Sequence, residues 1–472
     1  MPRSNGARSR RERLPKGCVN KLSVSPSTTE QTLREFSEAG RIRIAAADLD
    51  GVLRSKYITG AKLKSALEEG APFCNGVFGW DCADELYDNV SYTGWHTGYP
   101  DIRLKLDPAT ARRLPWEDNT PFLLGEFTES DGTPSAVCPR QLLRHVLARV
   151  ERAGFQVQAG MEFEWYNFAE TPQSLEQKEY HSPQPIWPGM FGYSAIRYAQ
   201  HHTYLKSLLE QLPAFGIPIE GLHSENGPGI LEAAIHYTTG MEAADRAALF
   251  KTAVKEIAAR CGVMPSFMAK WHASYQGCSA HCHQSLTDGQ KNLFYDAESA
   301  SGMNRLFDSY VAGQLHCLPY LTPMFAPTVN SYKRLVDGFW APVRTDWGFD
   351  NRTASLRVIV AGPKATRVET RLPGADVNPY LSLAACVAAG FYGIENELRL
   401  EQPPVGATSS PTGERLPRNL QEATCRFAEH ELPKELFGEQ FVAHFAATRE
   451  WEWRRFHDAI TDWELKRYFE VI

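Results

Sequence analysis

Three short stretches set charged or imidazole side chains two residues apart inside apolar, strand-like runs: Glu162 and Glu164 in GMEFEW, His281 and His283 in AHCHQS, and Arg367, Glu369 and Arg371 in RVETR. Along an extended strand, residues i and i+2 share a face. Each stretch therefore aims its polar groups at one surface while Met161, Phe163, Cys282 and Val368 point the other way. A chain built like this must form a sheet with one apolar and one charged face. Buried charges need partners or a metal, and glutamates, histidine and arginines together are what a hard divalent cation and a phosphate require. A network of structural ion pairs is the simpler alternative, and three independent stretches with one spacing weigh against it.

At 472 residues, 43% hydrophobic and 22% charged, the chain exceeds one ordinary core and has a globular composition. A net charge of −6 with both signs interspersed leaves no basic field, which argues against nucleic acid as a partner. No apolar run approaches the length of a membrane span, which argues against a membrane role. Ten cysteines scattered from Cys18 to Cys425 lack framework spacing and fit a reducing, cytoplasmic compartment. Cys278 and Cys282 flank His281, yet no second pair completes a tetrahedral zinc site. Residues 1–28 are basic at first, turn-rich and poor in large hydrophobes, as expected of a disordered tail. A transit peptide would need an apolar face, and this stretch has none and carries Glu12.

From Thr29 to Gly40 a helix pattern ends in glycine, and RIRIAAADLDGVLRSKYI reads as two strands joined by a tight Asp50-Gly51 turn. Residues 29–138 are expected to form a small β domain, with its boundary near Pro139, where a strong helix over Arg140 to Ala153 opens a larger domain over 139–472. In the larger part, strand signals at Gln156–Phe168, Gly229–His236, Ser279–Ser285 and Ala365–Leu372 alternate with helices at Tyr198–Phe215, Gly240–Cys261, Gly302–His316 and Asn378–Leu398. The expected fold is α+β, an antiparallel sheet backed by helices. Residues 400–418 read as a polar Pro/Gly/Ser loop, and the last fifty as amphipathic helix packed outside or on another subunit.

Glu225 and Glu232 flank the Gly-Pro-Gly turn of HSENGPGILEAA, which can bring two carboxylates back to one site. Downstream, Arg334, Arg352 and Arg357 lie in loops beside aromatic turns, where arginines suit phosphate and carboxylate recognition. The ordered succession GMEFEW, ENGPGILE, FMAK, AHCHQSL, NSYKRL, DNRTASLR and PKATRVETR resembles the glutamine synthetase family, from about residue 30 to the C-terminus. That resemblance implies an N-terminal β-grasp domain, a helix-backed catalytic domain, and a dodecamer of two stacked hexamers with each site built between neighbours. It also implies ATP, L-glutamate and Mg2+ or Mn2+, two to three ions per site. By position, Glu164, Glu225 and Glu232 resemble ligands of the metal nearer glutamate, and Glu162, His281 and Glu369 those of the metal nearer ATP. His283, Ser285, Arg357, Lys364 and Arg367 match nucleotide positions; Gln276, Gly277, Arg334 and Arg371 match glutamate positions. Arg352 matches the arginine meeting the transferring phosphoryl group, and Glu232 joins it as a catalytic candidate.

Two departures stand out. Ammonia-using members of the family carry a glutamate before Ala-Pro in the flap, and this chain has Trp340 in FWAPV. They also carry an aspartate in the N-terminal domain, where APFCNGVF offers Cys74. A small cation needs negative charge and a base, whereas an aromatic and a thiol make an apolar wall. With Cys74, Phe78, Trp80 and Trp340 as its expected lining, the acceptor pocket suits an organic amine, aryl or bulky and apolar, as in γ-glutamylanilide and γ-glutamylisopropylamide synthetases. A γ-glutamylpolyamine synthetase is the alternative, with Asp81, Asp84, Glu85, Asp337 or Asp346 neutralising the distal ammonium. A non-catalytic relative is another, since Ile230 and the CSA triplet at 278–280 depart from the usual residues.

Overall fold

The structure is a computed structural model that describes residues 26–406 and 413–472. The expected tail over 1–28 falls outside these residues, except that a helix, Pro26–Ser37, begins at its end. The 400–418 loop is likewise described only in part.

Two sheets organise the chain. The smaller has strands β1 (Ile42–Ala47), β2 (Leu53–Ile58), β3 (Ala71–Cys74), β4 (Asp101–Leu106), β5 (Arg112–Leu114) and β6 (Thr120–Thr128). Its order is β2-β1-β6-β4-β3, with β5 on β6, and β1 and β6 run parallel. The β1–β2 connection is wider than a two-residue turn: Ala47 pairs with Leu53, leaving residues 48–52 as the loop. The Asp48 carboxylate closes it by accepting from the backbone N–H groups of Asp50 and Val52, and Gly51 supplies the left-handed φ of 77°.

The larger sheet comprises β7 (Gln156–Phe168), β8 (Ile219–Ser224), β9 (Ile230–Ile235), β10 (Thr238–Thr239), β11 (Met264–Ser266), β12 (Ala280–Thr287), β13 (Trp347–Phe349), β14 (Leu356–Ile359) and β15 (Arg367–Thr370). The order β13-β14-β15-β12-β7-β9-β8 is antiparallel apart from the edge pair β13 and β14, which is parallel. β10 and β11 extend β7 at its two ends. The alternation along β7 works as expected. Met161, Phe163 and Trp165 are buried on the rear face, where the Phe163 ring stacks on Phe250 of the Gly240–Arg260 helix at 5.6 Å and Trp165 meets it edge-on at 5.5 Å. Burying each such side chain contributes about 1.5–3 kcal/mol, and this sets which face of β7 is left for Glu162 and Glu164.

Behind the sheet, the Arg305–Phe325 and Pro379–Glu395 helices touch backbone to backbone. A Cβ on Gly393 would lie 2.1 Å from the carbonyl oxygen of Ser309, so only glycine permits the approach. The Glu439–Asp458 helix packs within the chain, onto the long connection before β4: Asn89 Nδ2 donates to the Ala447 carbonyl at 2.8 Å, and Tyr87 meets Trp451 edge-on at 5.9 Å. Beyond it the chain end is apolar and open, with Phe469 85% exposed.

That packing buries His444, 3% exposed, against the edge of Tyr92. Burial, with Arg449 nearby, pulls its imidazole down from 6.5 to about 4. The folded state thus favours the neutral ring, so the stability this residue contributes is whole above pH 6.5 and is lost as pH falls from there through 4. The expected loss is about 3 kcal/mol. Denaturant midpoints measured from pH 7 to 4 should fall more steeply for the natural chain than for His444→Leu; equal slopes would show that His444 titrates normally.

Candidate active site

Strand register assembles the charged face. β12 pairs with β7 so that His281 lies opposite Glu162. β15 pairs with β12 so that Glu369 lies opposite His283, and Arg357 of β14 lies opposite Glu369. On the other side of β7, Glu232 of β9 lies opposite Glu164, and His223 of β8 opposite Glu232. Residues opposite one another in a sheet share a face, so six strands deliver these groups to one surface.

Two groups of ligand atoms gather there. In the first, atoms of Glu162, His283 and Glu369 lie within 4.8 Å of one another. His281 completes the cluster, its Nδ1 3.6 Å from Glu162 Oε2 and 3.4 Å from Glu369 Oε1. The expected set of Glu162, His281 and Glu369 is therefore brought together, with His283 more closely involved than a nucleotide position implied: its Nε2 is 3.3 Å from Glu162 Oε2. In the second group, atoms of His223, Glu225 and Glu232 lie within 4.8 Å. The two glutamates were expected; His223 was missed, although His223 and Glu225 repeat the two-residue spacing seen in the other stretches. His223 Nε2 is 2.8 Å from Glu225 Oε1, and its ring stacks on Tyr193 with centroids 4.7 Å apart. Glu164 accepts the Ser279 N–H at 2.7 Å and faces Glu232 across the register.

The electrostatics suit cations. Burial first, then Glu164 and Glu162, pushes the Glu232 carboxyl up to about 9, as expected for carboxylates crowded without a counter-ion. Burial and the neighbouring Arg371 lower the His281 imidazole, which favours the neutral ligand form. Its Nε2 is buried without a hydrogen-bond partner, and an orphan of this kind on a carboxylate-lined face fits a metal-binding donor set. Glu369 is held by guanidinium groups, with Arg357 Nη1 at 2.9 Å and Arg371 also in contact.

Beside the first cluster a cleft of about 220 Å³ is lined by His283, Ser285, Lys364 and Arg367, all expected nucleotide positions, together with Tyr237 and Glu220, which were not foreseen. Arg367 Nε donates to His283 Nδ1 at 3.1 Å. Arg357 lies outside this cleft, bonded to Glu369 and Asp350. Arg352 is exposed and within electrostatic reach of the Tyr193 hydroxyl, which ties it to the second cluster.

Other expected positions behave differently. Arg334, 2% exposed, spends its guanidinium on the Leu372 and Arg371 carbonyls and the Ser279 hydroxyl. These bonds brace the strand ends beside the site. Gly277 lies against its stem, where a Cβ would come within 2.6 Å of Arg334 Cγ, and the carbonyl of Gln276 accepts the Tyr166 hydroxyl. Arg371 retains a buried Nε without a partner.

The expected amine-pocket residues have different surroundings. Phe78 is 1% exposed and packs edge-on against Phe127 and Tyr92, so it is core and leaves the pocket list. Cys74 is exposed at the end of β3, with Sγ accepting the Gly76 N–H. Trp80 lies under the Arg54 guanidinium, 5.3 Å from its ring centre. Trp340 is 62% exposed with φ at 61°, beside Phe339, whose ring covers the Lys270 ammonium at 4.3 Å. Both expected clusters are thus present, whereas the expected acceptor residues sit on separate segments, Cys74 at the end of β3 and Trp340 in a turn before β13.

Comparison with known proteins gives this arrangement its class. Residues 136–468 match the profile described as glutamine synthetase, catalytic domain. A type-1 glutamine synthetase 2 of Dictyostelium discoideum is 48% identical over 446 residues, covering 93% of this chain and 85% of that protein. A glutamate–isopropylamine ligase of a Pseudomonas species is 36% identical over 93% of this chain and 98% of its own length. Among solved structures, GmaS without ligand superposes with a TM-score of 0.80 at 26% identity, over 93% of this chain and 98% of that one. The chain belongs to the glutamine synthetase family and has its ligase fold.

The two clusters should bind cations separately. In Mn2+ titrations followed by electron paramagnetic resonance, roughly two ions per chain are expected; Glu162→Ala should remove one and Glu232→Ala the other. His223→Ala should weaken the second by 10–100-fold, the usual effect of losing a supporting partner. Unchanged stoichiometry and affinity in all three variants would detach these residues from metal binding.

Proposed function

We propose that this chain is an ATP-dependent glutamate–amine ligase. It joins the γ-carboxylate of L-glutamate to the nitrogen of an aryl or bulky apolar amine, giving a γ-glutamylamide, ADP and phosphate. The observation that carries the acceptor choice is the segment beside Lys270, which presents Phe339 and Trp340 and no free carboxylate. Its one acid, Asp337, is paired with Arg415 at 3.0 Å. The other acids that a polyamine would need are also engaged. Asp84 pairs with Arg54 and Glu85 with Arg455, while Asp81 accepts from backbone N–H groups and Asp346 accepts the Ser355 N–H. Of the relatives above, the isopropylamine ligase supports the same reading. The glutamine synthetase at 48% identity makes ammonia the competing acceptor.

In this reading the γ-phosphoryl group of ATP passes to the glutamate γ-carboxylate, and the amine nitrogen then displaces phosphate from the acyl phosphate. Divalent ions held by Glu162, His281, His283 and Glu369, and by Glu164, His223, Glu225 and Glu232, would neutralise phosphate and carboxylate charge when bound. Lys364, Arg367 and Ser285 would hold the nucleotide, and Arg352 would meet the charge of the transferring group. Gln276, Gly277 and Arg371 would orient glutamate, with Arg334 fixing the strand ends beneath them. An arylamine arrives mostly neutral, so no carboxylate has to deprotonate it before attack. Cys74 ends β3 of the smaller sheet and Trp80 follows it after one turn, so in this reading a wall that joins them to Trp340 forms with a neighbouring copy, in keeping with a homo-oligomer of the family's dodecameric kind. A cytoplasmic location is part of the same proposal; among the described residues no helix is long and apolar enough to cross a membrane.

The test is phosphate release with glutamate, ATP and magnesium across ammonia, alkylamines, diamines and anilines. Organic amines should exceed ammonia in kcat/KM, and ammonia ranking first would overturn the acceptor assignment. Glu164→Ala or His281→Ala should lower turnover at least about a hundredfold. Trp340→Ala should lose activity with small amines and raise glutamate-dependent ATP hydrolysis without amide, since an apolar pocket contact discriminates by about 1–3 kcal/mol. An unchanged order of preference would remove Trp340 from amine selection.

A further inference from the structure

Lys270 is a buried cation that neither cluster uses. Among the described residues no carboxylate pairs with it; burial lowers its ammonium, with the Cys278 thiol opposing that shift and Arg334 adding to it. Its backbone is fixed by one side chain: Asn330 Oδ1 accepts the Lys270 N–H at 2.8 Å, and Asn330 Nδ2 donates to the Lys270 carbonyl at 2.7 Å. The ammonium donates to the Tyr275 carbonyl and lies 4.3 Å from the centre of the Phe339 ring. An ammonium taken out of water without a counter-ion is stabilised by an aromatic face, and most where it is desolvated.

These contacts join two parts of the site. Tyr275 leads into Gln276 and Gly277 and on to Ser279, whose N–H meets Glu164 at 2.7 Å. Phe339 belongs to the turn over 336–341 that carries Trp340. That turn is weakly anchored elsewhere. Phe339 is exposed and lies outside the hydrophobic cores, and the Asp337–Arg415 pair is open to solvent, where an ion pair holds little. Trp340 sits at a φ of 61°, a region that an aromatic residue keeps only when its surroundings hold it there. On the adjacent residue, the tether is the Lys270 ammonium.

We propose that Lys270 is a positioning residue of the ligase: its ammonium, laid on the Phe339 ring, latches the 336–341 turn to the loop from Tyr275 to Ser279. Trp340 is thereby kept over the acceptor side, and water is kept from the acyl phosphate. In this role Lys270 meets no substrate and acts only through Phe339. The proposal rests on the reading of this turn as part of the acceptor site.

Two readouts on the full-length protein separate the latch from that reading. In the first, hydrogen exchange of the backbone amides of 336–341 without substrate should quicken at least about fivefold in Lys270→Met, which keeps the stem and removes the charge. Phe339→Leu should do the same, and the double variant should exchange no faster than either single one, because each removes the same contact. Lys270→Arg should stay near the natural chain, since a guanidinium also stacks on an aromatic ring. Unchanged exchange in Lys270→Met, additive effects in the double variant, or an arginine that behaves like methionine would overturn the latch. The second readout is phosphate released per amide formed, taken with whichever amine proves fastest, ammonia included. It should rise at least about threefold in Lys270→Met and in Phe339→Leu, with a higher KM for the amine and the same Mn2+ stoichiometry. Faster exchange with an unchanged ratio would overturn the role in the reaction and leave Lys270 a structural brace. Because exchange needs no acceptor, a wrong amine assignment leaves the latch standing. Should Lys270→Met fail to fold, Phe339→Leu, at an exposed position, decides alone by the same exchange criterion.

Discussion

The register of β7 between β12 and β9 is the constraint on which the site depends. Glu162 meets His281 on one side, and Glu164 meets Glu232 on the other. Slipping either pairing by one residue would turn the carboxylates into the layer occupied by Phe250 and Phe267, and the aromatic side chains out to the charged face. Burial of Phe163 and Trp165 against the Gly240–Arg260 helix therefore does more than stabilise the sheet. It selects the single register in which both clusters exist.

That register creates an electrostatic debt the protein does not settle internally. Glu369 has its two guanidinium partners, but Glu232 is crowded by Glu164 and Glu162 and binds its proton far more tightly than a free carboxyl. A fold retains such repulsion where something external relieves it. The arginines differ in the same way. Arg334 donates to two backbone carbonyls and the Ser279 hydroxyl and braces strand ends, whereas Arg352 stays exposed near the second cluster.

Much of this was legible in the sequence wherever the information is local. The alternation in β7 and β12, the hairpin that returns Glu225 and Glu232 to one place, and the start of the Pro139–Arg152 helix are set by neighbours a few residues away. His223 follows the same two-residue rule, but polar Ser224 stands between it and Glu225 where the other stretches have Phe163, Cys282 and Val368, so no apolar alternation marks it. The β1–β2 loop was read too short because the Asp48 side chain, which closes it, mimics a backbone turn that a two-residue pattern does not register.

The sequence by itself determined that one sheet face would be charged, which residues would populate it and which ordered motifs they belong to, because period-two alternation is a property of each strand alone. Only the tertiary structure decided that His283 and His223 would enter the clusters, that Phe78 would be core, and that Arg334 would serve as a brace. These outcomes depend on which side chains meet across strands and between layers. Two aromatic residues, Phe78 and Trp340, end at 1% and 62% exposed because packing partners elsewhere in the chain cover one and not the other.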